Sequence, residues 1–282
     1  MNQDSPDPAI STVPGDASSG DSPTEAYDQF LALLKKRRSC RSFSADPIPE
    51  GYVEKILEAA RWAMSGANGQ PWEFVVVQSR ERIQSLYKAY QDHINEVNFW
   101  LEQRFPWELR HPAFQLEGDT EAQYRQLQSR PGWSLAPAVI AVLGDGRRQL
   151  ASVSIVSTPG RNQTHLTDAL SNAGMMIHLA AASLGLVSEW VSIQVPEPFK
   201  QLLNVPPLLT LHTIIPLGYP KQPPSGSYRR QFREIVHYES YDPSKMMTSE
   251  EVLKYLYRLR ASSRRTYARS RGEPSAPRGP GE

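Results

Sequence analysis

The residues best equipped for chemistry lie between Lys36 and Gln78. A basic turn, Arg37-Arg38-Ser39-Cys40-Arg41-Ser42-Phe43, precedes a helix-like segment. Met64-Ser65-Gly66-Ala67-Asn68-Gly69-Gln70-Pro71-Trp72 follows it, and the apolar run Phe74-Val75-Val76-Val77 closes the stretch. Guanidinium forks match phosphate oxygens bidentately, so the first cluster suits a phosphate. The second lets backbone approach a flat ligand closely, because Gly66 and Gly69 carry no side chain. Arg37 and Arg38 also fit a solvated charge cluster at a helix end, where the helix dipole favours cations, and Arg41 could pair with Asp46. Ser65 to Gln70 also fits an ordinary turn ahead of a strand.

Other chemistries find little support. There is no G-x-S-x-G nucleophile motif. Cys40 has basic neighbours that would lower a thiol pKa, but it falls inside the basic turn. The six histidines (His93, His111, His165, His178, His212, His237) show neither H-x-x-x-H nor H-E-x-x-H spacing, so metal catalysis is not expected. His178, on an apolar helix, reads as a satisfied core residue. Gly144-Asp145-Gly146 lacks the third glycine of a dinucleotide fingerprint.

The net charge of +1 offers no global field for nucleic acid. A single cysteine excludes an intramolecular disulfide and fits a reducing compartment. The amino-terminal residues lack the basic and apolar regions of a signal peptide. No run approaches the roughly 18 apolar residues that span a membrane. A soluble, cytoplasmic protein with neither nucleic-acid nor membrane partners is expected.

The elements that must position these residues follow from pattern. Residues 1–24 are rich in Pro, Ser, Gly and Asp and are expected to be a disordered tail. Helices are expected over 24–36, 49–62 (apolar face Val53, Ile56, Leu57, Ala60) and 81–101. Further helices are expected over 121–128, 166–184 and 197–203. Buried strands are expected over 72–78, 138–143, 187–194 and 208–217, and a last strand over 231–238. The segment 151–164 is ambiguous. The helix at 166–184 is apolar on most faces and rich in small residues, so it belongs at the centre of a domain or of a dimer. Thr248-Ser249-Glu250-Glu251 is a capping box opening a helix within 242–261, and 262–282 reads as a disordered basic tail. The block 92–133 lies between two strands and is rich in aromatics; a connection that long is usually functional.

The basic turn, the Ser-Gly-Ala-Asn-Gly-Gln-Pro-Trp stretch, the run Ala180 to Ile193 and the pair Leu217-Gly218-Tyr219-Pro220 and Tyr228 to His237 occur in one order. In that order they resemble the signature of the FMN-dependent nitroreductase family over about residues 25–241. The resemblance implies an α+β fold with a mainly antiparallel sheet flanked by helices. It implies an interlocked homodimer whose two FMN sites are each built from both subunits. It places Arg37, Arg38, Ser39 and Arg41 at the phosphate and ribityl chain, joined by Arg229 or Arg230. It places Ser65, Gly66 and Asn68 along the flavin, and Trp190, Val191 and Ser192 over the ring, with Ser192 nearest the flavin N5. Met64 stands where the family commonly has proline. NADH or NADPH would bind transiently over the flavin.

Within the family, one reading is an NAD(P)H oxidoreductase. It passes hydride through the flavin N5 to an aromatic, quinone, nitro or conjugated acceptor, with 92–133 as a lid favouring small flat aromatics. A second is a reductive dehalogenase similar to iodotyrosine deiodinase. There Asn95, Phe99 and Arg130 fall at the positions that grip an amino acid, and Arg130, Arg104 or Arg110 could hold a carboxylate. Trp190 to Ile193 is also similar to the enzyme that dismantles FMN, but Ser39 stands where that enzyme has Asp. The reading from another class is a flavin-binding module without turnover.

Overall fold

The computed structural model describes residues 22–148, 161–224 and 229–270. The expectations for 1–21, for 151–160, for Tyr228 and for 271–282 lie outside the described residues. The chain divides into two compact units, Met1–Lys36 and Arg37–Glu282. Of the first, helix α1 (Pro23–Lys36) is described; it buries no residue, and Tyr27, Phe30 and Leu34 are exposed.

The second unit is built on an antiparallel sheet of β1 (Trp72–Val77), β2 (Ala138–Gly144), β3 (Val187–Ser188), β4 (Val191–Ser192) and β5 (Thr210–Gly218). Its order is β1-β2-β5-β3, with β4 also pairing β5. The α+β expectation with a mainly antiparallel sheet holds.

Strand β2 is buried at every position. Alternate side chains enter opposite faces. Val139, Ala141 and Leu143 join one core, with Ile83, Leu86 and Tyr87 of α3 (Arg80–Tyr90), Trp133 and Phe199. Ala138, Ile140 and Val142 join the other, with Val53, Ile56 and Ala60 of α2 (Tyr52–Arg61) and the long helix described next. Helices therefore cover both faces, and the strand reads as continuously apolar for that reason.

The long helix that follows the insertion carries Leu166, Ala169, Leu170, Ala173, Ile177 and Ala181 into the second core. Its place at the centre of the unit is as expected.

The block 92–133 is not a structureless loop. It holds α4 (Glu96–Glu102), α5 (Thr120–Gln128) and short 3-10 turns. Phe99, Phe114, Leu116 and Leu127 close a small core of its own. A five-residue π-helical stretch, Gln91–Asn95, joins α3 to α4, so the helix expected over 81–101 is present as one continuous helical run with a π-bulge in it. The long helix itself is α6 (Arg161–Ser183), and α7 (Glu197–Leu202) follows β4.

Two further expectations are corrected. The strand expected over 187–194 is two short pieces, because the chain turns at Glu189 and Trp190. The strand expected over 231–238 is a short helix, α8 (Phe232–Ile235). Gln231 and Glu234 cap it reciprocally, a local arrangement that period-two reading does not detect. The capping box at Thr248 is present: Glu251 Oε2 accepts from Thr248 N at 2.8 Å. The helix it opens, α9 (Ser249–Ser270), continues past the boundary expected at 261, so 262–270 is helical.

Candidate functional site

The basic turn is extended backbone fastened on both sides. Ser39 bridges Ser188, and Cys40 N donates to Ser188 O at 3.0 Å. Phe43 bridges Pro220, Ser44 N donates to Tyr219 O at 2.9 Å, and Lys221 N donates to Ser42 O at 3.0 Å. Phe43 is fully buried, and at Gly218 an added Cβ would meet its ring at 3.4 Å and Pro137 Cδ at 2.6 Å. Burying Phe43 and Cys40 thus anchors a segment that carries three arginines.

Arg37 is half-buried. Burial lowers its pKa, and Arg229 and then Arg38 lower it further. Among the described residues, the charged groups so acting on this guanidinium are two other guanidiniums. Like charges gathered in partial burial are relieved by a bound anion, and a phosphate with several acceptor oxygens fits them. Arg38 Nη1 also donates to Arg37 O at 3.0 Å.

The remaining arginines separate. Arg230 engages its own helix: Nη2 donates to Glu234 O at 3.1 Å, and Nε lies 3.6 Å from Glu234 Oε2. Arg41 pairs with Glu189 at 3.4 Å. Of the pair Arg229 and Arg230, it is Arg229 that acts on Arg37. Cys40 is buried, its Sγ donates to Ser42 O at 3.1 Å, and burial pushes its thiol up. A reactive thiolate is not favoured there.

Helix α6 lines up the other candidates. Asn172 Nδ2 donates to Met64 O at 3.0 Å and so holds the glycine loop. Two residues on, Gly174 faces Trp190: a Cβ there would come within 2.7 Å of the indole. His178 lies about 9 Å along the axis from Asn172, at about 1.5 Å per residue. Its Nδ1 is 2.6 Å from Ser188 Oγ and its ring centroid 5.9 Å from that of Trp190. Burial, then Arg37, lowers its pKa to about 4, so the ring is neutral. On the other side His212 meets Trp190 edge-on at 5.3 Å, and its Nε2 lies 3.2 Å from Ser171 Oγ. Trp190 therefore packs against two imidazoles, each with a hydroxyl partner. Val191 is buried, its carbonyl accepting from Thr213 Oγ1 at 2.9 Å, while Ser192 is exposed.

In the loop, Ala67, Asn68 and Gln70 have φ of 48°, 55° and 42°. Ser65 Oγ accepts from Gln70 N at 3.0 Å. Left-handed backbone at non-glycine residues is strained and persists where surroundings impose it, which is common at ligand sites.

The substrate candidates fare differently. Phe99 is fully buried in the core of the insertion, so it presents no ring to a ligand. Arg130 Nη1 donates to Ala113 O at 2.6 Å, and its carbonyl accepts from Tyr87 Oη at 2.9 Å. Arg104 is exposed. The aromatic surface of the insertion consists instead of Trp100, Phe105 and Trp107, with Trp100 stacked on Tyr124 at 6.1 Å. Glu189 escaped the sequence reading. A lone carboxylate in the run Gly185 to Ile193 was the available signal.

Residues 34–219 match the model of the nitroreductase family. An NADH dehydrogenase of Thermus thermophilus is 29% identical over 213 residues, covering 74% of this chain and 95% of that protein. Rat iodotyrosine deiodinase 1 is 35% identical over 71 residues, a quarter (25%) of each chain. Among solved structures, an iodotyrosine deiodinase bound to FMN and 3-iodo-L-tyrosine superposes with a TM-score of 0.51 at 24% identity, covering 75% of this chain and 99% of that one.

Proposed function

This chain belongs to the nitroreductase family, and on that premise we propose that it is an FMN-dependent oxidoreductase using NADH or NADPH as electron donor. The observation that carries the reading is Arg37, half-buried in the field of Arg229 and Arg38. These residues fit the cofactor's phosphate. When bound, the flavin supplies two-electron chemistry, accepting hydride at N5 from a nicotinamide and passing it to an aromatic, quinone, nitro or conjugated acceptor.

The chain's own part is to hold and shield. Arg37, Arg38 and Arg229 grip the phosphate, with Ser39 beside it. Ser65, Gly66 and Asn68 line the flavin through a loop whose backbone is already in ligand-ready strain. Trp190, packed against His178 and His212, steadies the turn before Val191 and the exposed Ser192, which would lie by the flavin ring. A neutral His178 keeps a further positive charge away from that turn. The aromatic surface around Trp100 and Trp107 excludes water and stacks flat acceptors.

We further propose a homodimer in which the loop at Ser65–Asn68 serves the partner copy's site. We propose 25–241 as the catalytic region with 92–133 as its lid. The dehalogenase reading draws on the rat relative's shared segment; the burial of Phe99 and the bond from Arg130 Nη1 to Ala113 O speak against a zwitterion grip there.

The test is Arg38→Ala. Losing one charge-assisted contact of about 1.5–3 kcal/mol weakens FMN binding by roughly ten- to a hundredfold. Flavin fluorescence titration reads it, and unchanged affinity would remove the phosphate assignment.

A further inference from the structure

Glu189 is a largely buried acid. Its side chain is 12% exposed, at the turn between β3 and β4. Three groups face it: Arg41, whose Nε lies 3.4 Å from Oε1, the thiol of Cys40, and the hydroxyl of Tyr87 on α3. Cys40 and Tyr87 are both buried and neutral, and Glu189 raises the pKa of each, with Tyr87 pushed to about 12 mainly by burial. Arg41 is the cation of the set, and it stands in the segment that carries Arg37 and Arg38. That segment already touches the Glu189 turn through Ser39, Cys40 and Ser188.

A carboxylate here costs desolvation that an apolar side chain would not. What it offers in return is a charge on the one turn that adjoins both the anion-binding segment and Trp190. We propose that Glu189 is a positioning residue: through Arg41 it fixes the segment 37–43 on the turn that carries Trp190 and Ser192, so that its ionisation sets how firmly the cofactor's phosphate is held. This rests on the FMN reading above.

Burial raises the Glu189 pKa to about 7 against the opposing pull of Arg41. Above that pH the carboxylate is charged and draws Arg41 in. Below it the acid is neutral, Arg41 is released, and the segment loosens at its middle. The pair is half-exposed on the Arg41 side, so the effect on affinity is modest, about threefold.

The experiment measures the FMN dissociation constant of the full-length apoprotein by flavin fluorescence, from about pH 6 to about pH 8.5, across the Glu189 titration. The phosphate of FMN ionises near the lower end, at about pH 6, so the readout is the difference between wild type and Glu189→Gln. Wild type should gain about threefold more affinity than E189Q as pH rises. Arg41→Gln should reproduce the E189Q curve, and the double variant should lose nothing further. If E189Q does not fold, R41Q carries the same comparison. Parallel curves for wild type and both single variants, or losses that add in the double variant, overturn the proposal while leaving the FMN reading intact. A wild type that binds no FMN at any pH overturns both.

Discussion

Arg229 and Arg230 are adjacent and equally basic, yet they are not equivalent. Arg230 is committed to Glu234, whereas Arg229 acts on Arg37. Arg229→Ala should therefore weaken FMN binding by at least about tenfold, the loss of a charge-assisted contact, and Arg230→Ala by little. Equal losses in the same titration would show that the two had been wrongly separated. Residue type made the arginines legible in the sequence, because a fork-shaped cation in an extended turn has few roles. Phe99 was expected at the substrate and is fully buried instead, because type alone cannot tell a presented aromatic from a buried one. That distinction came from Phe114, Leu116 and Leu127 closing over the ring.

A pH signature belongs to the same scale. His178 has a folded pKa of about 4 against an ordinary value of 6.5. The unfolded chain then binds more protons between those values, so the stability tied to neutral His178 is present above 6.5 and lost as pH falls toward 4. The loss is at most about 3 kcal/mol. Glu189 acts oppositely, its raised pKa making stability fall as pH rises from 4.5 toward 7. Urea midpoints of wild type and His178→Asn, compared across this range, should diverge on the acid side, with wild type losing more. Parallel midpoints would contradict a neutral His178.

At the scale of elements, the sequence was readable wherever one period ran long enough. Strands β1, β2 and β5 and helices α2, α6 and α7 lie close to their expected places, because burial on one or both faces stamps a pattern on the chain. Short pieces were not readable. The strand over 187–194 breaks at Glu189 and Trp190, which are held by tertiary partners, namely Arg41 and the two imidazoles. The helix at Phe232 depends on a cap rather than a period. No residue type announced the left-handed run in the glycine loop either, since the strain falls on Ala67, Asn68 and Gln70 while Gly69 has an ordinary φ of −65°. Ala67→Gly should relieve about 1 kcal/mol of that strain and leave thermal stability equal or higher. A lower melting temperature would mean that the methyl group is itself a needed contact.

For the whole molecule, the sheet with its two cores is the frame and the insertion 92–133 is a separately cored attachment. The lid role proposed for the insertion would divide frame from specificity. Replacing 92–133 with the equivalent block of another family member should alter preference among quinones, nitroaromatics and halogenated phenols while FMN affinity stays within a few-fold. An unchanged acceptor profile would place specificity elsewhere. Family membership could be read from four dispersed segments in the right order. The acceptor could not, because residue type did not show which aromatics of the insertion reach its surface; Trp100, Phe105 and Trp107 are among them.

The account rests on an anion held by Arg37, Arg38 and Arg229, and the visible absorption spectrum of the purified protein tests this most directly. Wild type should be yellow with stoichiometric FMN, and a folded Arg37→Ala/Arg38→Ala/Arg229→Ala variant should be colourless after soaking in FMN and gel filtration. A wild type that stays colourless after the same treatment, or a triple variant that stays yellow, would contradict it.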